Sequence, residues 1–290
     1  LVENNSEQGF ALLKQLYSQT KLSYLVGITG PPGSGKSTLT GEIVKHWLKQ
    51  NLKVGIIAID PTSSFSGGAL LGDRIRMRDI AMEKNVFIRS MATRGSMGGL
   101  NSSIYDTVLL MSSAGFDYII IETVGVGQNE IDIVNLADTV LVVTTPEAGD
   151  EIQTFKAGIM ETGDIFIVNK ADRSGVNKME LMLKQMIELT NFRKGSWNPP
   201  VTKTSAKNNK GIEELVNIIQ SHYDFLHKYE LMDTKREAVM KRQLLNLLER
   251  KLREKYIDPL VKNGLLAQEL EKIITGATDP YSVVEELMTA

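Results

Sequence analysis

Between Gly30 and Ser37 the chain reads GPPGSGKS, which fits G-x-x-x-x-G-K-[ST]. An apolar run precedes it and a helix-like run follows, the setting in which this pattern has a physical meaning. Gly30, Gly33 and Gly35 let the backbone curl around an anion, with Pro31, Pro32 and Ser34 between them, and the helix start adds the positive end of its dipole. Lys36 is suited to neutralising β- and γ-phosphates, and Ser37 offers a hydroxyl to Mg²⁺, with Thr38 completing the expected phosphate-binding stretch. The stretch predicts a bound nucleoside triphosphate.

The base is read further on. At Asn169-Lys170-Ala171-Asp172 the chain has N-K-x-D directly after a predicted strand. A carboxylate such as Asp172 accepts two hydrogen bonds from guanine, at N1–H and the 2-amino group. Adenine presents an acceptor at N1 and has no 2-amino group, so the carboxylate would be left unpaired against it. Thr204-Ser205-Ala206-Lys207 follows the next predicted strand, and its backbone N–H groups are expected to close over the base. N-K-x-D alone is common in surface turns; phosphate loop, N-K-x-D and S-A-K in this order predict guanine over adenine.

A triphosphate site also needs a carboxylate near Mg²⁺, at the end of a strand beside the phosphate loop. IIIETVGVG supplies Glu122, in an E-x-x-G version of the D-x-x-G switch, and Gly125 can bring its N–H to the γ-phosphate. Lys36, Glu122 and Gly125 are the expected catalytic residues. Asp60 and Asp73, within IDPTSSFSGGALLGDRIRM, join Ser37 and Glu122 as metal-region candidates, acting directly or through water. Asp73 also reads as a helix cap or first-turn carboxylate. Val126 occupies the position after the switch glycine, where many GTPases carry the glutamine that positions the attacking water; Gln128 lies two residues on. Valine cannot orient water, so slow hydrolysis is expected until a partner or another segment supplies the group. Arg74, Arg76, Arg78 and Arg94 are candidates for a charge-stabilising arginine and equally readable as solvated surface residues. The glycine-bearing stretches 93–103 and 144–158 fall at strand ends on the nucleotide side, as switching loops or plain connectors.

Seven short apolar runs must position these residues: 24–30, 53–60, 85–91, 118–123, 139–145, 165–170 and 200–206. Most lack alternation, as strands buried on both faces of a parallel sheet do. Amphipathic stretches lie at 36–50, 101–114, 150–161, 176–191 and 210–227. Strand–helix alternation predicts an α/β fold: a mostly parallel sheet covered by helices on both faces, with a helical C-terminal appendage. The expected domains are a helical N-terminal segment (1–23), a P-loop domain (24–228) and a helical arm (229–290). In that arm Leu244, Leu245, Leu248, Leu252 and Tyr256 form one apolar stripe, Pro259 and Gly264 punctuate a break, and Asp279 before Pro280 reads as a helix cap. The arm either folds back onto the core or pairs with a second copy.

Composition sets outer limits. The 290 residues are 42% hydrophobic and 23% charged, with a net charge of −2, which gives no basic field for nucleic acid. There is no cysteine, which excludes disulfides and thiolate metal sites and fits a reducing, cytoplasmic setting. No apolar run approaches the roughly 18 residues of a membrane span, and Leu1–Phe10 lacks signal-peptide character. Asn4-Asn5-Ser6 matches a glycosylation acceptor and is read as chance.

GPPGSGKST, IDPTSSFSGGALLGDRIRM, ETVGVGQNEIDIVNLAD, PEAGDEIQTFKAGIM and FIVNKAD together resemble the MeaB/ArgK family of G proteins, the methylmalonyl-CoA mutase-associated GTPases. The resemblance spans most of the chain. It implies a homodimeric GTPase that binds GTP/GDP and Mg²⁺, and that helps load adenosylcobalamin into methylmalonyl-CoA mutase and guards it from inactivation. Through it Lys36 and Ser37 bind phosphate and Mg²⁺, Asp60, Asp73 and Glu122 belong to the metal region, and Asn169, Lys170 and Asp172 read guanine. It also implies that LVENNSEQG is the end of a longer helical extension. Direct cobalamin ligation is not expected, since no D-x-H-x-x-G string is present.

Other readings fit less. Nickel-delivery GTPases use cysteine and histidine clusters, and this chain has only His46, His222 and His227. A kinase of periplasmic amino-acid (lysine/arginine/ornithine) transport proteins, an older label of the family, would need a catalytic loop that no H-R-D string supplies, and N-K-x-D argues against ATP. Partition ATPases carry an extra lysine where Pro31 stands, and no Met-rich signal-binding segment follows.

Overall fold

The computed structural model describes residues 6–61, 77–93, 102–123, 136–148, 162–189 and 197–289. Seven parallel strands form one sheet: β1 (Tyr24–Thr29), β2 (Val54–Pro61), β3 (Val86–Thr93), β4 (Tyr118–Glu122), β5 (Thr139–Thr144), β6 (Ile165–Val168) and β7 (Val201–Lys203), in the order β3-β2-β4-β1-β5-β6-β7. All seven apolar runs of the sequence are strands. β1 is central, so the loop that leaves it emerges between the ends of β4 and β5, the crevice where open α/β sheets bind ligands.

The unbroken apolar runs are explained by two covered faces. On one, α2 (Lys36–Leu48) and α6 (Ile212–Lys228) set Leu39, Ile43, Trp47, Leu215 and Ile219 against Val26, Ile28, Ile120 and Leu141. On the other, α4 (Ser102–Ser113) covers Leu25, Ile57 and Ile119, and α5 (Val176–Leu189) covers Val142, Phe166 and Val168. Successive strand residues therefore face opposite layers and both layers are apolar. The N-terminal helix α1 (Glu7–Tyr17) is capped by Ser6, whose hydroxyl accepts from the Gly9 N–H at 3.1 Å, and Leu13 packs on Leu109. A short α3 (Arg78–Ala81) precedes β3. The predicted helix 150–161 lies outside the described residues.

The chain divides into two compact units, Leu1–Val239 and Met240–Ala290. The long helix α7 (Leu231–Leu252) begins in the first. There Arg236 donates to both Asp138 carboxylate oxygens at 3.0 and 3.3 Å, and Lys235 donates to the Asp138 carbonyl at 2.9 Å. In the second unit, the expected break at Pro259 is instead a π-turn (Arg253–Ile257) running into α8 (Asp258–Lys262). The wider turn accommodates a residue that has no N–H and whose ring would collide with an ordinary helical turn. The expected break does fall at Gly264, φ 73°, which separates α8 from α9 (Leu265–Ile274). Asp279 caps α10 (Pro280–Thr289), accepting from the Tyr281 and Ser282 N–H groups at 2.9 and 3.0 Å. No helix among the described residues is long and apolar enough to cross a membrane.

At the sheet end opposite the phosphate loop, His222 is fully buried. Its Nδ1 shares a hydrogen bond of 2.7 Å with the Thr139 hydroxyl, which also meets the Tyr24 hydroxyl. Burial pushes the imidazole down to about 4, against the Asp164 carboxylate 3.4 Å from Nε2 and with Lys235 adding to the depression, so the ring is neutral at pH 7. The unfolded chain takes up a proton near pH 6.5 that the folded chain refuses until about pH 4. The stability this group contributes is therefore complete above pH 6.5 and is lost as pH falls toward 4, roughly 2 kcal/mol by pH 5. Urea titrations at pH 7 and pH 5 should show that loss in the parent and a visibly smaller one in His222→Gln. Equal losses in both would mean that His222 is not the acid-sensitive group.

Candidate functional site

The phosphate loop links Thr29 at the end of β1 to Lys36 at the start of α2, and Gly30, Gly33 and Gly35 in it take φ of 140°, 76° and 88°. Gly30 is demanded by contact as well: a Cβ there would stand 1.9 Å from the Val143 carbonyl oxygen of β5. A Cβ on Gly35 would lie 2.5 Å from the Asn169 side-chain nitrogen. The loop thus closes against β5 on one side and the end of β6 on the other, and the first N–H groups of α2 border it.

Lys36 is only 6% exposed, and its ammonium donates to the carbonyls of Gly30 at 2.7 Å and Pro31 at 3.0 Å. A charge is thus stored inside the loop by groups that a phosphate oxygen can replace. The Ser34 hydroxyl is buried in the loop with no hydrogen-bond partner among the described residues, a cost that an anion's oxygen would relieve. Both observations fit a phosphate.

Register places the metal-region carboxylate. β1 and β4 pair Ile28 with Glu122, so the last residue of β4 stands beside the start of the phosphate loop. Glu122 is buried, and each of its oxygens takes a hydroxyl from α2: Ser37 Oγ donates to Oε1 at 2.5 Å and Thr40 Oγ1 to Oε2 at 3.0 Å. A serine hydroxyl beside a carboxylate is a hard-oxygen donor set, which suits Mg²⁺ carried by a triphosphate. Among the described residues no three of His, Asp and Glu gather as a protein-only metal site would require.

The second cluster forms at the ends of β6 and β7. Asn169 is 2% exposed, and its amide donates to the Ser34 carbonyl at 2.8 Å. Its Oδ1 accepts from the Thr204 hydroxyl at 3.1 Å and from the Ala206 N–H at 3.2 Å. One asparagine therefore braces the phosphate loop, N-K-x-D and S-A-K together, and the Ala206 N–H expected over the base is engaged by Asn169. Lys170 holds a left-handed conformation, φ 56°, stabilised as the Ala171 N–H donates to the Thr204 carbonyl at 2.9 Å. Asp172 is exposed; Ser205 Oγ donates to its Oδ1 at 2.5 Å and holds the carboxyl below the usual range, with Lys207 adding to the effect. It is a ready acceptor for base N–H groups. Next to it, Arg173 pairs with Glu147 at 2.6 Å.

Gly125, Asp73, Val126, Gln128, Arg74, Arg76 and Arg94 lie outside the described residues, as do the side chains of Asp60 and Arg78. Thr40 and the bracing role of Asn169 went unread in the sequence. Only Thr40 left a signal, three residues after Ser37 and hence on the same helix face.

A central strand, a glycine loop wrapped around a buried lysine, and a carboxylate one strand over define a P-loop nucleotide-binding α/β protein. The sequence model of the methylmalonyl-CoA mutase-associated GTPase MeaB family matches residues 1–259, and the chain belongs to that family. A Pyrococcus abyssi protein whose name calls it a GTPase is 44% identical over 99% of this chain and 89% of its own length. The mitochondrial methylmalonic aciduria type A homolog of Mus musculus is 31% identical, covering 96% of this chain and 68% of that one. A crystal structure named LAO/AO transport system kinase shares the fold, with a TM-score of 0.71 at 24% identity, over 97% of this chain and 85% of that one. The chain binds guanine nucleotide and hydrolyses GTP to GDP and phosphate.

Proposed function

We propose that this GTPase is a chaperone of methylmalonyl-CoA mutase, assisting the loading of adenosylcobalamin and protecting the enzyme from inactivation. The observation that carries the reading is the family match over residues 1–259. In this reading the triphosphate lies in the loop Gly30–Thr38, where Lys36 exchanges its carbonyl partners for β- and γ-phosphate oxygens. Ser37 and Glu122, with Asp60 and Asp73, would hold the metal region, and Mg²⁺ bound there would offset charge on the transferring phosphoryl group. Asn169, Lys170 and Asp172 hold guanine, with Ser205, Ala206 and Lys207 beside it. Gly125 is the residue whose N–H would serve the γ-phosphate. Water attacks the γ-phosphorus as the bond to the β–γ bridging oxygen breaks. Val126 leaves that water unpositioned, so the isolated protein is slow.

The working form is a homodimer. Leu244, Leu245, Leu248, Leu252 and Tyr256 lie roughly half exposed along one stretch of the second unit, an apolar stripe of the kind a second copy covers. The setting is the cytoplasm, away from nucleic acid and membrane, and cobalamin is ligated by the mutase rather than by this chain. A second reading, a kinase of transport proteins, draws on the solved structure of that name, with which only the fold is shared.

GTP turnover should be measured for the purified protein alone and with methylmalonyl-CoA mutase of the same source. The expected basal rate lies near the roughly 10⁻⁴–10⁻² s⁻¹ of unaided GTPases and rises when mutase is added. A basal rate above about 1 s⁻¹ would overturn the argument from Val126. A slow rate untouched by mutase would remove the chaperone reading. γ-Phosphate appearing on an acceptor protein rather than free in solution would favour the kinase. Sedimentation of the same sample at the mass of a single 32.1 kDa chain would dispose of the dimer.

A further inference from the structure

Thr40 is fully buried, one turn along α2 from Ser37. The two hydroxyls face the same carboxylate from the same side of the helix, Ser37 at Glu122 Oε1 (2.5 Å) and Thr40 at Oε2 (3.0 Å). A carboxylate at the end of a strand is free to turn about its side-chain bonds, and one held at both oxygens is not. Because the Ser37 hydrogen is committed to Oε1, what the Ser37 oxygen has left to offer is its lone pairs, as a cation requires. That orientation depends on Glu122 staying in place, and Thr40 donates to its other oxygen.

We propose that Thr40 is a positioning residue for magnesium-dependent nucleotide binding and hydrolysis: it locks Glu122, which in turn aims the Ser37 oxygen at the cation. Thr40 need touch neither nucleotide nor metal. The inference rests on the reading of Ser37 and Glu122 as the metal region. It concerns a hydroxyl that valine removes at nearly constant volume and that serine retains.

The test is release of a fluorescent GDP analogue from the full chain, with Mg²⁺ titrated from EDTA upward. Outer partners of metal ligands are worth about 10–100-fold in metal affinity. Thr40→Val should raise the half-saturating Mg²⁺ concentration about tenfold, while its release rate in EDTA stays within about twofold of the parent. Thr40→Ser should keep the parent's magnesium dependence. Parent-like magnesium dependence in Thr40→Val would overturn the proposal. So would a change in release that is equal with and without Mg²⁺, since that is the mark of a packing defect. Should Thr40→Val fail to fold by circular dichroism, Thr40→Ala is read by the same criteria. Release from the parent that ignores Mg²⁺ altogether would overturn both the Thr40 proposal and the metal reading beneath it, whereas loss of the Thr40 effect alone leaves that reading standing.

Discussion

Asp172→Asn should lose GDP affinity by roughly a hundredfold or more and gain affinity for xanthosine diphosphate. The carboxylate can accept from both N1–H and the 2-amino group of guanine. An amide in its place turns one acceptor into a donor, which faces the 2-amino group badly and the 2-oxo group of xanthine well. The geometry isolates this effect. Asp172 is exposed and tied within the site to Ser205, whereas the brace to the phosphate loop runs through Asn169. The substitution should therefore leave melting temperature and phosphate binding nearly unchanged. Titration of the variant with both diphosphates decides the matter. If GDP still binds within about threefold of the parent, Asp172 in the loop after β6 does not read the base.

Lys36→Ala should lower GTP hydrolysis by roughly 10²–10³, the usual cost of removing a preorganised donor from developing phosphate charge. GDP affinity should fall less, because the diphosphate lacks the γ-oxygens that the ammonium also serves. The effect is large because Lys36 is buried in the loop, where little water screens its charge. Arginine is not expected to rescue the rate, since its planar guanidinium is larger than the compact ammonium that the loop encloses. Single-turnover hydrolysis at saturating nucleotide separates the chemical step from weakened binding. A variant that retains activity within tenfold of the parent would show that the lysine is not the phosphate-neutralising group.

Much of the architecture is legible in the residues alone. Each of the seven apolar runs is a strand, because a strand covered on both faces must be apolar at every position, and few other contexts allow this. The phosphate loop was legible because its glycines answer to local backbone geometry, and Gly30, Gly33 and Gly35 do take positive φ. Of the two expected breakers, Gly264 does end a helix, while Pro259 does not, because a proline forbids the ordinary helical hydrogen bond without forbidding a wider turn.

By itself, then, the sequence determined the sheet, the nucleotide loop and the preference for guanine, all of which follow from residue types at short fixed spacings. Tertiary structure alone decided which distant groups meet. The order β4-β1-β5-β6 brings Glu122 to Ser37 and Thr40 across 85 and 82 residues of chain, and Asn169 to Ser34 across 135. It also buried His222 against Thr139 and Asp164, where the linear sequence shows only an isolated histidine on an amphipathic helix. Such contacts arise from strand order and register, quantities set by the packing of the whole sheet and not recorded in any one segment.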